Sequence, residues 1–338
     1  MAVKHIFLIM TDSCNFTCSY CYKREVTAEA TGDHMTRKTA AAILDWAIDN
    51  GVWDPNNIKS VINLWGGEPF VNYELIEMFL TEYPQMHFRM NTNGSLVTRA
   101  RAEFIIKHRY HLTLAVSLGS AHETYGGMDK ALQKLSPIIE MIASTKGGWG
   151  ANFTVSRADK LYEDYKMIRD AGISSILIDI PKFTEITDAY KDAFIENYLK
   201  IVKEYKIRDK RGTEKGINYC GSGIDRIAIN PKGDVYPCDG MYGQKLNRLG
   251  NIFDNFDMKA FDFFEKTKKE ASKFYDYCKD CKVQCSFERC MAVNISKNKD
   301  MFVPDPNWCK IREIFKELRE KEGDYVKGPE DRSKDYGC

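Results

Sequence analysis

Cys14-Asn15-Phe16-Thr17-Cys18-Ser19-Tyr20-Cys21 places three cysteines at intervals of three and two residues, directly after the apolar run Ile6-Phe7-Leu8-Ile9-Met10. The run has the length and composition of a buried strand, so the thiols fall on the loop that leaves its end. Three thiolates on one tight loop suit three irons of a cubane cluster and leave the fourth iron without a protein ligand. A cluster that only carries electrons is normally ligated at every iron. The vacant position would be the counterpart of the open site on a catalytic zinc. Taken alone, the spacing also admits a zinc knuckle, or a disulfide with one spare thiol.

The rest of the composition narrows the choice. A chain of 338 residues with 43% hydrophobic content has material for two domains, or for one barrel with an appendix. The net charge of +1 gives no electrostatic case for nucleic acid or for an anionic membrane surface. No apolar stretch approaches the ~20 residues of a membrane span, and the N-terminus lacks the pattern of a signal peptide. A cytoplasmic location is therefore expected, where structural disulfides are rare. Eleven cysteines in such a compartment point to metal or catalysis. Beyond Cys21 none occurs until Cys220, which is followed by Cys238, Cys278, Cys281, Cys285, Cys290, Cys309 and Cys338. All six histidines fall in the first 122 residues, so a C-terminal site would be ligated mainly by thiolate, which suits zinc or iron–sulfur clusters.

Between residues 5 and 206 short β-type runs alternate with helical patterns. Strands are expected over His5–Thr11, Ser60–Trp65, His87–Thr92, His111–Ser117, Ala151–Ser156 and Ser175–Ile180. Helices are expected over Thr36–Asn50, Tyr73–Glu82, Thr98–His108, Lys130–Ser144, Lys160–Ala171 and Ala189–Tyr205. Thr36 and Thr98 are suited to N-caps, and Gly51 and Gly172 to C-terminal stops. The alternation predicts an α/β fold with a parallel sheet and right-handed crossovers, its site at the C-terminal strand ends.

The cysteine triplet, with the aromatic Tyr20 before its third member, resembles that of the radical S-adenosylmethionine (SAM) superfamily. The resemblance implies an open, partial (β/α)6 barrel of TIM type, to which the six units correspond. It also implies a [4Fe–4S] cluster on Cys14, Cys18 and Cys21 whose free iron is chelated by SAM. Trp65-Gly66-Gly67-Glu68-Pro69, at the end of the second strand, resembles the superfamily element that binds the SAM amino group, so Gly66, Gly67 and Glu68 join Tyr20 as cofactor-binding candidates. Asn91, Asn93, Ser117 and Ser156 at later strand ends are candidates for the ribose and methionyl groups. His122 and Asp179 are candidate cavity residues, His122 and Glu123 being expected on the loop after strand 4. There the chain departs from related enzymes, with Ser117-Leu118-Gly119-Ser120 in place of Ser-Leu-Asp-Gly.

Past a polar linker at 209–217, two β runs flank Asn230-Pro231-Lys232-Gly233 as a hairpin ending at Cys238. With Leu249-Gly250-Asn251-Ile252 and the clustered cysteines, this segment resembles the SPASM domain, the auxiliary-cluster extension of radical SAM enzymes that modify peptides and proteins. The spacings within Cys278–Cys290 are two, three and four residues, where the family usually has two, five and three. The expected division is a barrel over 1–208, an auxiliary iron–sulfur domain over 218–310, and a helix with a tail over 311–338. The resemblance implies two auxiliary [4Fe–4S] clusters, one on Cys220, Cys238 and Cys290, the other on Cys278, Cys281, Cys285 and Cys309. Cys338 is a candidate fourth ligand of the first. A structural zinc domain is the competing reading.

The implied activity is that of an oxidoreductase: reductive cleavage of SAM to a 5′-deoxyadenosyl radical, then oxidative modification of a ribosomal peptide by a thioether or carbon–carbon side-chain crosslink. An electron donor such as flavodoxin or ferredoxin is implied. With strand 1 beginning near residue 5, a separate leader-recognition protein, or direct capture of the leader by the barrel, is expected. The alternatives are a sulfatase-type formylglycine maturase and, from another class, a non-catalytic iron–sulfur or zinc binding protein.

Overall fold

The computed structural model describes residues 3–21, 23, 32–57, 59–145, 149–207, 221–243, 247–269, 281 and 290–322. The linker at 209–217 and Cys220, Cys278, Cys285 and Cys338 lie outside the described residues. Six parallel strands, β1 (His5–Thr11), β2 (Val61–Gly66), β3 (Phe88–Thr92), β4 (Leu112–Ser117), β5 (Gly150–Thr154) and β6 (Ile176–Asp179), stand side by side in sequence order. Between them run α1 (Arg37–Asp49), α2 (Tyr73–Glu82), α3 (Arg99–Lys107), α4 (Leu118–Tyr125), α5 (Met128–Lys134), α6 (Ser136–Ser144) and α7 (Leu161–Asp170), and α8 (Asp188–Tyr205) follows β6. Thr36 and Thr98 cap α1 and α3, each accepting a hydrogen bond from the backbone N–H three residues on.

The expected helix over Lys130–Ser144 is two helices that meet at Leu135. Pro137 supplies no N–H to the ladder, so it sits in the first turn of a new helix rather than inside a long one. The residues after Ser117 form α4 directly, so His122 and Glu123 lie on a helix and not on a loop.

Alternation along the strands divides two environments. Ile6, Leu8 and Met10 of β1 join Ile43 and Leu44 of α1 in the main core between sheet and helices. Phe7 and Ile9 face the other way, into the barrel, where they pack with Trp65, Ala228, Tyr236 and Tyr242. On the far side the interior is polar: Asn91, Ser117, Asn152 and Thr154 are half-buried. Registers level these residues, with Asn91 beside Ala115, Ser117 beside Asn152 and Thr154 beside Asp179.

The barrel does not close between β6 and β1, because the second edge of β1 is occupied. β7 (Arg226–Ile229) pairs with it in parallel, His5 beside Arg226 through Leu8 beside Ile229. The hairpin expected around Asn230–Gly233 then adds β8 (Asp234–Tyr236) and β9 (Gly250–Asn251), giving one nine-stranded sheet in the order β6-β5-β4-β3-β2-β1-β7-β8-β9. The division drawn between a barrel and a separate C-terminal domain therefore runs through a continuous sheet. Beyond α9 (Asp262–Lys269) and α10 (Met291–Asn298), the last helix among the described residues, α11 (Pro306–Glu322), returns to the opposite edge. Lys191 of α8 pairs there with Glu313 and Glu317, and Asn307 accepts the N–H of Ile186 at 3.0 Å. Ile311, Ile314, Phe315 and Leu318 enter the main core, so α11 is part of the barrel's packing. Among the described residues no helix is long and apolar enough to cross a membrane.

Because Ile314 is fully buried in that core, Ile314→Ala should cost about 2–5 kcal/mol of unfolding free energy. Urea denaturation followed by circular dichroism would measure it.

Candidate cofactor site

The cysteine loop leaves β1 at the C-terminal mouth of the sheet, and the loop after β2 is laid directly on it. Gly67 N–H donates to the Thr11 carbonyl at 2.7 Å and Glu68 N–H to the Ser13 carbonyl at 2.9 Å. A Cβ at Gly66 would overlap the Thr11 carbonyl, and one at Gly67 the Ser13 carbonyl. Gly66 also has φ +141°, a conformation other residues rarely adopt. The two glycines are thus required by the approach of one backbone to another.

Glu68 is buried, and its carboxylate is fully engaged. One oxygen accepts from Phe70 N–H at 3.1 Å and Thr92 hydroxyl at 2.6 Å, the other from Asn93 N–H at 2.7 Å. The side chain therefore ties the end of β2 to the end of β3. Burial pushes its pKa up to about 7, against the three hydrogen bonds, which favour the charged form. Asn93 is spent in the same way: its amide donates to Asn15 Oδ1 at 2.9 Å, and its oxygen accepts from the Ser95 N–H and hydroxyl. Asn15 in turn donates to Ser95 Oγ at 2.7 Å. Glu68 and Asn93, both candidates for the cofactor, thus also brace the cysteine loop.

A second set of contacts grips the loop from α4. Ser19 N–H donates to Glu123 Oε1 at 2.8 Å. Tyr20 hydrogen-bonds with Ser120, and burial pushes its phenol pKa well above the ordinary value. A Cβ on Gly119 would overlap the Thr154 carbonyl and stand 2.9 Å from the Tyr20 hydroxyl. The position at which the family resemblance leads one to expect an acid has no room for one here.

On the third side stands Tyr242, whose hydroxyl donates to Asp12 and whose ring lies 5.5 Å from the ammonium of Lys23. Burial of Cys18, then the charges of Cys21, Glu123 and Cys14, raise its thiol pKa to about 12. Cys14 and Cys21 are thus near enough to oppose the ionisation of Cys18, a cost that metal coordination would relieve. Among the described residues no three His, Cys, Asp or Glu side chains are grouped as a single ion would require. Three soft donors on one braced loop fit an iron–sulfur group.

Asn91 and Ser117 face the barrel interior half-buried, and Ser156 lies two residues beyond β5, also half-buried. Asp179 accepts the N–H of Ile180 at 3.0 Å beside the same rim. His122 turns elsewhere: its Nε2 pairs with Asp164 Oδ2 of α7 at 3.4 Å, an inter-helix contact and not a cavity group. In the C-terminal part Cys238 and Cys290 share a small apolar cluster with Met241, Phe264, Met291 and Ala292. Cys281 is half-buried, as is Cys309 on α11. Asp12, Asn15, Thr92, Ser95 and Tyr242 had no motif signal. Only their adjacence to the triplet, to Asn93 and to Cys238 could have marked them.

Gly67→Ala should move the Ser13 backbone and lower stability by about 1–3 kcal/mol, readable by urea denaturation. Glu68→Gln tests the buried carboxyl by its pH dependence. Between the ordinary carboxyl value of 4.5 and about 7 the folded protein holds a proton that the unfolded chain has released. The wild type's stability advantage over the glutamine variant should therefore shrink as pH rises through that window and level off above it. Parallel denaturation series from pH 5 to pH 8 would show no such slope if the carboxyl titrated normally.

Comparison with known proteins agrees with this geometry. A model of the radical SAM superfamily matches residues 8–131, and one of the SPASM iron–sulfur cluster-binding domain matches residues 220–282. The chain is 22% identical to the radical SAM cyclopropyl synthase TigE of Paramaledivibacter caminithermalis, covering 98% of this chain and 77% of that protein. It is 25% identical to the antilisterial bacteriocin subtilosin biosynthesis protein AlbA of Bacillus subtilis, over 82% of this chain and 66% of that one. In fold it matches native anSMEcpe with bound AdoMet at a TM-score of 0.69, with 19% identity over 95% and 99% of the two chains. Streptococcus suis SuiB bound to its precursor peptide SuiA gives 0.63, with 16% identity over 90% and 75%. Two domain models in the order the fold displays, on a parallel open barrel whose first loop carries the thiols, place the chain in the radical SAM superfamily, among its members with a SPASM iron–sulfur cluster-binding domain.

Proposed function

We propose that this oxidoreductase modifies a ribosomally made peptide, joining side chains through a thioether or a carbon–carbon bond. The observation that carries the reading is the gripped cysteine loop at the barrel mouth, facing a half-buried wall of Asn91, Ser117, Asn152 and Thr154. Cys14, Cys18 and Cys21 would hold the N-terminal cluster. Asn91, Ser117 and Ser156 would bind the polar groups of SAM. Glu68, Asn93 and Tyr20 would act one step back, by fixing the loop. When bound, SAM and a reduced cluster supply a carbon radical able to take hydrogen from an unactivated C–H bond, chemistry that no side-chain base could perform.

The peptide substrate is supported by the relatives: AlbA is a bacteriocin biosynthesis protein, and SuiB was solved on a precursor peptide. An oxidative outcome is favoured by the C-terminal thiols, which suit centres that accept an electron from the substrate. One such centre would use Cys238 and Cys290, already in one cluster, together with Cys220. The other would use Cys278, Cys281, Cys285 and Cys309. A flavodoxin or ferredoxin would supply the reducing electron.

After anaerobic reconstitution, the protein with SAM and dithionite should release 5′-deoxyadenosine, and Cys18→Ala should abolish it. About twelve irons per chain are expected if all three centres are four-iron cubanes. Iron uptake without deoxyadenosine would return the chain to a binding protein. Turnover of a short peptide bearing the sulfatase cysteine motif would favour the formylglycine alternative over crosslinking.

A further inference from the structure

The missing acid after β4 has a counterpart one helical turn on. Position 119, where related enzymes carry aspartate, is a glycine packed against the Thr154 carbonyl and the Tyr20 hydroxyl. Glu123 lies four residues further along α4, so the two positions share a face of the helix. That face meets Ser19 and Tyr20, between the second and third cysteines. Glu123 Oε1 accepts the Ser19 N–H at 2.8 Å. Its Oε2 is buried and has no hydrogen-bond partner among the described residues.

A buried carboxylate oxygen without a donor is costly. A role in shape alone would be filled more cheaply by glutamine, whose amide oxygen could accept the same N–H. The carboxylate lies against the backbone of the residue that follows Cys18. A fixed negative charge beside a metal centre disfavours adding an electron to it and makes the reduced centre a stronger donor.

We propose that Glu123 is a positioning residue of the iron–sulfur loop, which fixes Ser19 and Tyr20 through one oxygen and holds the N-terminal cluster at a low potential through its charge. The inference rests on the reading of Cys14, Cys18 and Cys21 as cluster ligands.

The test compares the wild type with Glu123→Gln and Glu123→Ala, each reconstituted anaerobically in the full-length protein. The readout is the electron paramagnetic resonance signal that changes on adding SAM, followed through a redox titration. Glu123→Gln should keep the intensity of this signal and shift its midpoint to higher potential. Glu123→Ala should lose at least half of the intensity, because the loop is no longer held. A Glu123→Gln midpoint equal to that of the wild type would overturn the electrostatic role even if the alanine variant were poorly folded. Undiminished intensity in Glu123→Ala would overturn the positioning role. A wild type with no SAM-responsive signal would overturn the cluster assignment itself, and the inference with it.

Discussion

The site depends on one close approach, that of the Gly66–Glu68 backbone to the Thr11–Ser13 backbone at the mouth of the barrel. The two hydrogen bonds that run between them are possible only because no Cβ intervenes at Gly66 and Gly67. Once the loops are in register, Glu68 reaches the end of β3, and Asn93 reaches back to Asn15 of the cysteine loop. Three strand ends and the cysteine loop then form one hydrogen-bonded body. A loop of eight residues carrying three thiols has many conformations in isolation; this body selects one before any ligand arrives, which lowers the entropy cost of binding.

The sheet extends the same economy to the C-terminal part. β7 takes the free edge of β1, so the barrel stays open on its β6 side while its first strand is paired on both sides. The aromatic group of Phe7, Trp65, Tyr236 and Tyr242 fills the interior beside that joint. Tyr242 then contacts Asp12 immediately before the cysteine loop. At the other edge α11 packs on α8 and into the main core. The C-terminal segment thus touches the barrel at both of its edges and at its mouth; Cys238 follows a strand of the continuous sheet from which the cysteine loop also leaves, and Cys290 packs on the apolar cluster that holds Cys238.

Several residues singled out by motif have partners within the protein. Glu68, Asn93 and Tyr20 carry the right chemistry for ligand contact, yet each finds a protein partner. His122 is paired between two helices, where its ring fills space against Asp164. Asn91 and Ser117 keep the interior positions expected of them, because alternation along a strand fixes which residues face inward and needs only the strand to be placed correctly.

By itself the sequence determined the βα order, the caps at Thr36 and Thr98, the hairpin around Asn230–Gly233 and the cysteine loop at the end of β1. All of these are set by local periodicity, turn chemistry and spacing, over stretches shorter than about twenty residues. Only the tertiary structure decided that β7 would pair with β1, that α11 would close on α8, and that Glu123 would reach Ser19 across 104 residues of chain. Those contacts depend on which edge and which helix face are left open after the barrel has assembled. An edge strand or a buried carboxylate reads the same in sequence whether its partner is water, a ligand or another part of the chain.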